Sequence, residues 1–109
     1  MTIKATEVGK IFRYATGFDM SASTALSLKF THSDNVTTFT ATNPAVTAPA
    51  VTVNDPDLGG LTASTYMEYV TTGTDFTKAG SWTVCGIYTD GTPKKFIGLD
   101  ATFDVGDSC

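Results

Sequence analysis

Residues able to do chemistry are few in this chain and far apart. Its single histidine, His32, stands in Thr31-His32-Ser33-Asp34-Asn35, where a base, a hydroxyl and a carboxylate follow one another. A general base works when one partner holds it and it is aimed at another. Side chains adjacent on a turn diverge, so these three read as a solvated turn and not as a nucleophile triad. Asn54-Asp55-Pro56-Asp57-Leu58-Gly59-Gly60 places carboxylates ahead of glycines as a calcium loop does. The offsets that would complete an oxygen shell are missing and Glu68 stands too far on to close it, so this too reads as a turn. Cys85 and Cys109 are 24 positions apart, which gives neither a disulfide framework nor a zinc site. Cys85 would sit in a strand opposite a residue near Phe96 to Gly98, leaving Cys109 beyond the reach of a bond to it. Cys109 is thus expected to be a free terminal thiol, available for a cross-link to a neighbouring subunit. No glycine-rich phosphate loop follows a strand, and no carboxylate pair lies among apolar residues that would split its pKa values. The expectation is a protein that is no enzyme and needs no metal or cofactor.

The elements that position these side chains read as strands. Gly80 to Tyr88 alternates, sending Trp82, Val84 and Tyr88 to one side and Ser81, Thr83, Cys85 and Ile87 to the other. Ile97, Leu99, Ala101, Phe103 and Val105 alternate with Gly98, Asp100, Thr102 and Asp104, the pattern of a half-buried strand that keeps Leu99 and Phe103 in the core. Asp90-Gly91 is the turn between them. Apolar residues on both sides of the Trp82 strand imply a cover over Cys85 and Ile87, supplied by another subunit or by the segment Asn43 to Thr52. Upstream, Gly9 to Thr16 puts Phe12 and Tyr14 on one face, and Leu26, Leu28 and Phe30 make a core strand. Val36 to Thr42 returns as a short strand. Asn43 to Thr52 repeats Pro-Ala-Val-Thr, and its prolines confine it to an edge or a surface loop. Ala63 to Thr72 is a further strand with Met67 and Tyr69 on one face. Residues 1 to 8 form an edge strand or an arm, and 106 to 109 a short tail.

Composition agrees with strands. There are 21 threonines, no glutamine, two glutamates and one arginine, so β-branched residues abound where helix formers are scarce. A length of 109 residues suits one core. A formal charge of -4 and pI near 4.6 argue against a nucleic-acid partner, which needs clustered cations; Lys94-Lys95 reads as a solvated turn. No run is long enough to span a membrane, and the first residues lack the apolar core of a signal peptide. The chain is expected to be soluble and made in a cytosol. Phe12, Tyr14, Phe39, Tyr66, Tyr69, Trp82 and Tyr88 are rings that could stack on sugars, but most fall at alternating positions where a sheet needs core.

Four pieces of the chain resemble the immunoglobulin-like domain of the phage baseplate upper protein family. Gly17-Phe18-Asp19-Met20-Ser21-Ala22-Ser23 is similar to that family's Asp-Leu-Ser-Gly-Ala-Thr connector. Ala25 to Phe30 and the turn His32 to Asn35 resemble its next strand and turn. Tyr69-Val70-Thr71-Thr72-Gly73-Thr74-Asp75-Phe76-Thr77-Lys78-Ala79-Gly80-Ser81-Trp82 resembles Tyr-x-Thr-Thr-x-x-Asp-Leu-x-x-Ala-Gly-x-Trp, and the expected strand, Asp-Gly turn and strand follow. The resemblance implies a single all-β domain over residues 1–109, an immunoglobulin-like antiparallel β-sandwich of seven or eight strands. Its core would hold Leu26, Leu28, Phe30, Tyr69, Trp82, Val84, Leu99 and Phe103. Asp75 and Phe76 would seal a corner between the sheets, Gly80 would allow a tight entry, and Cys85, Ile87 and Cys109 would face an interface. It further implies a virion protein that contacts other virion proteins in many copies on a symmetric particle, at the tail tip or baseplate. A capsid decoration or neck protein is the alternative in that class, and a carbohydrate-binding adhesion module the alternative outside it.

Overall fold

The computed structural model describes residues 3–72, 75–91 and 95–107. Among them the chain is all β with no helix, in eleven strands: β1 (Ile3–Lys4), β2 (Ile11–Ala15), β3 (Ser23–His32), β4 (Thr38–Thr42), β5 (Val46–Thr47), β6 (Val53–Asp55), β7 (Gly59–Leu61), β8 (Tyr66–Val70), β9 (Gly80–Asp90), β10 (Lys95–Ile97) and β11 (Ala101–Gly106). The larger sheet runs β1-β11-β9-β3-β4, with β10 beside the far half of β9; the smaller runs β2-β8-β5, and β6 and β7 form a separate hairpin. All pairings are antiparallel except β1 with β11, where Ile3 matches Val105. That short parallel edge makes Ile3–Lys4 a strand, and Ile3 and the following Ala5 are buried in the core.

Alternation builds the interior. Trp82, Val84 and Tyr88 from β9, Leu26, Leu28 and Phe30 from β3, Ala41 from β4, and Phe12, Tyr14, Val46, Met67 and Tyr69 from the smaller sheet form one buried cluster. The two sheets face each other through these residues. Phe12 of β2 meets the edge of Phe30 of β3 at 5.2 Å between ring centroids. Tyr66 lies outside that cluster. It is buried on the other face of the smaller sheet, where its hydroxyl donates to the carbonyl of Val51 at 2.9 Å beneath the β6–β7 hairpin.

Four expectations are overturned. The final alternating run is two strands, because Ile97 pairs with Ile87 while Ala101 pairs with Val84. Three residues, Gly98 to Asp100, therefore face only Cys85 and Gly86, which makes a β-bulge with one extra residue. An extra residue reverses the faces, so Ile97 points with Ile87 to the outside while Phe103 points inward opposite Trp82. Leu99, expected in the core, sits on the bulge and is 89% exposed. His32 does not lie in an exposed turn. It ends β3 opposite Trp82 and is 6% exposed. The segment Asn43 to Thr52 does not cover Cys85 and Ile87 either, since its strand β5 joins the other sheet beside Tyr69. The strand count exceeds the expected seven or eight because of the bulge and because Asn54 to Gly60, read as a turn, lies within a hairpin of its own, paired from Val53 with Leu61 to Asp55 with Gly59.

Candidate functional site

Two regions gather side chains from several elements. The first is the corner between β8 and β9. Asp75 accepts hydrogen bonds from the Tyr69 hydroxyl at 2.7 Å, the Thr72 amide at 2.6 Å and the Thr72 hydroxyl at 2.9 Å. Burial, together with the Asp75 acceptor, pushes the Tyr69 phenol up to about 12, because ionisation would set two negative groups side by side in a poorly solvated place. Phe76, buried behind this aspartate, packs edge-on against Phe30 at 5.1 Å and Trp82 at 5.3 Å. The Trp82 ring nitrogen donates to the Lys78 carbonyl at 2.9 Å, which satisfies the polar edge of a fully buried indole.

Gly80 opens β9 at a φ of 126°, and a Cβ there would stand 2.8 Å from His32 Nε2. Both demands, the left-handed backbone and the close approach, fit glycine alone. His32 Nε2 lies 2.9 Å from the Ala79 carbonyl, and Nδ1 accepts from the Asp34 amide at 3.0 Å. The Asp34 carboxylate turns to its own loop, accepting from the Val36 and Thr37 amides, and to Lys78 Nζ at 2.7 Å. That lysine, followed by the amides, holds the Asp34 carboxyl well below the usual range. His32 and Asp34 thus tie a hairpin to a corner, and no serine hydroxyl is bonded to the imidazole. The corner does structural work.

The second region is the flank where β2 passes the bulge. Tyr14 leaves the smaller sheet, crosses to the larger one and donates its hydroxyl to the Leu99 carbonyl. The inward position on β9 facing it is Gly86, where a Cβ would stand 2.5 Å from the Tyr14 ring, and Gly98 is also too close to that ring for a side chain. Glycine inside a strand marks such an approach. Burial raises the Tyr14 phenol. Around it a groove of about 320 Å³ is lined by Phe12, Val84, Ala101 and Phe103, with Leu58 and Leu99 exposed on its rims. Arg13 donates to Asp55 at 3.1 Å and to Glu68 at 3.1 Å, pinning the β6–β7 hairpin over the smaller sheet.

Of the anticipated site residues, Leu26, Leu28, Phe30, Tyr69, Trp82 and Val84 lie in the buried cluster and Phe103 packs against it half-buried. Cys85 and Ile87 lie half-buried on the outer face of β9. Burial raises the Cys85 thiol, which points to the Gly98 carbonyl at 3.6 Å. Cys109, Lys94 and the Gly73-Thr74 pair lie outside the described residues. Asp55 caps the β6–β7 turn by accepting from the amides of Asp57 and Leu58, and among the described residues no three His, Cys, Asp or Glu side chains gather as a metal shell. All seven candidate sugar-stacking rings are buried or half-buried; Phe18 is 50% exposed. The Tyr14 bridge, the Arg13 pins and the buried His32 are absent from the sequence reading. The signal for the first was Gly86, a gap between Val84 and Tyr88 on the inward face of β9. Comparison of the chain with protein-family models, with curated proteins and with solved structures found no match to any.

Proposed function

We propose that the chain is a non-enzymatic structural module of a tailed-phage virion, an immunoglobulin-like β-sandwich that docks on other virion proteins at the tail tip or baseplate and is present in many copies. The observation that carries the reading is the corner. Tyr69, Thr72, Asp75, Phe76, Gly80 and Trp82, the residues of the phage-like motif, meet in one bonded and packed unit. Strand order supports it as well. An immunoglobulin-like sandwich lays its second, fifth and fourth strands in one sheet against its seventh, sixth and third in the other. Here β2-β8-β5 faces β11-β9-β3 in that order once β4, an added edge strand, the small hairpin and the bulge are set aside, while β1 pairs with β11.

The test is immunogold labelling of particles released by the cells that encode the chain, with antibody raised against it. Label on tail tips or baseplates supports the reading. Label on heads or necks moves the module to a decoration role within the same class. Absence from particles, with binding to surface glycans of those cells, replaces it with an adhesion module.

A further inference from the structure

The smaller sheet ends at β2, which pairs with β8 alone. Thr71 donates to the Lys10 carbonyl and Thr16 to the Thr65 carbonyl, so the ladder to β8 uses Phe12 and Tyr14 between them. The backbone N–H and C=O groups of Ile11, Arg13 and Ala15 point the other way, and they meet no partner among the described residues. A row of unpaired backbone groups is a template for another strand. Such an edge is often blunted by a proline, a bulge or a charged side chain; β2 has neither proline nor bulge along Ile11–Ala15, and its one charge, Arg13, is tied to Asp55 and Glu68. The β6–β7 hairpin stands beside this edge, with its Asp55 bonded to Arg13. Two depressions line the edge, one of about 520 Å³ beside Gly9 to Ile11 and the groove of about 320 Å³ beside Tyr14.

We propose that the edge of β2 is a strand-addition site, and that its occupant is an extended peptide segment of a partner, apolar at alternate positions and basic at the end that passes Asp100. A strand laid on Ile11, Arg13 and Ala15 directs every second side chain inward, beside Phe12 and Tyr14 and against Ala101 and Phe103, where the larger sheet leaves its inward face uncovered. The charge follows from the lining. Asp55, Asp57 and Asp100 stand against Lys10 and Arg13, and Arg13 is already matched by Asp55 and Glu68. Lys10 lies at the Gly9 end, so the Asp100 end is acidic. The site stands independently of the virion reading, because it rests on the ladder and the groove.

The experiment is an NMR titration of the full chain with the synthetic peptide Lys-Val-Thr-Val-Thr-Val-Lys and its counterpart with glutamate for both lysines. The lysine peptide is expected to shift and protect the amides of Ile11, Arg13 and Ala15, and to bind about tenfold more tightly than the glutamate peptide. Ala15→Pro removes one outward N–H while leaving the ladder to β8 intact, as edge positions allow, and it should abolish that protection with the rest of the spectrum unchanged. Asp100→Lys should reverse the preference between the two peptides. Protection elsewhere, equal binding of both peptides, or protection of these amides by self-association without peptide would each overturn the proposal.

Discussion

The two flanks of the interior are built from the same kinds of residue and end in opposite states. At the corner flank Phe30, Phe39, Phe76 and Trp82 fill the space with rings at 4.6 to 6.1 Å, and the one polar ring edge among them, Trp82 Nε1, is returned to the Lys78 carbonyl. At the β2 flank Gly86 and Gly98 leave room for a single ring, Tyr14, and Ala101, Phe103 and Leu99 remain partly or wholly in solvent. The difference is one of closure. The corner has a chain segment, Asp75 to Ala79, laid across it, whereas among the described residues no strand is laid across the flank of β2. A small domain can hold its fold through one sealed flank and leave the other to a partner.

The comparison breaks most readily at Trp82. Trp82→Ala removes a fully buried indole and its bond to Lys78, and should cost about 3 to 5 kcal/mol in urea unfolding. If the variant unfolds no more easily than the parent, the corner is not what holds the fold. Next in size is Gly86→Ala, which drives a methyl into the Tyr14 ring and should cost about 1 to 3 kcal/mol. Gly91→Ala, with nothing within 4 Å, serves as its control. Most of the Gly86 penalty should vanish in a Tyr14→Val background, since the two act through one contact; a penalty that persists there would remove Tyr14 as its cause.

A smaller effect separates the flanks by pH. The folded state keeps the Tyr69 proton to about 12, against an ordinary value of 10.0. The folded chain therefore binds the extra proton between these values. The stabilisation is complete below pH 10 and is lost as pH rises through 12. Stability of the parent should fall across that window by on the order of 1 kcal/mol more than that of Tyr69→Phe, which has no phenol to ionise. Parallel pH profiles would dissolve the link to Asp75. The smallest effect is expected at Leu99→Ala, within about 0.5 kcal/mol as for an exposed residue; a cost like that of Trp82 would put Leu99 back in a core.

The sequence made some of this legible and hid the rest for identifiable reasons. Period-two alternation located β2, β3 and β9 and their inward faces, because the buried residues of each fall at every second position. The same rule failed at Leu99, since one extra residue at Gly98 to Asp100 reverses the parity and leaves no mark on the hydrophobic pattern. His32 looked like a turn residue because its polarity was visible while its two backbone partners, Ala79 and Asp34, were not. The corner was legible as a motif, while the open edge of β2 was not. An edge is a property of what fails to pair, and that depends on all the other strands.

Native-state hydrogen exchange along β2 in the isolated chain tests the account most directly. One flank sealed and the other open predicts alternation: the amides of Phe12 and Tyr14, bonded into the ladder with β8, exchange slowly, and those of Ile11, Arg13 and Ala15 exchange fast. Equal protection of all five amides would mean that the edge is already covered within the chain, and would contradict the account.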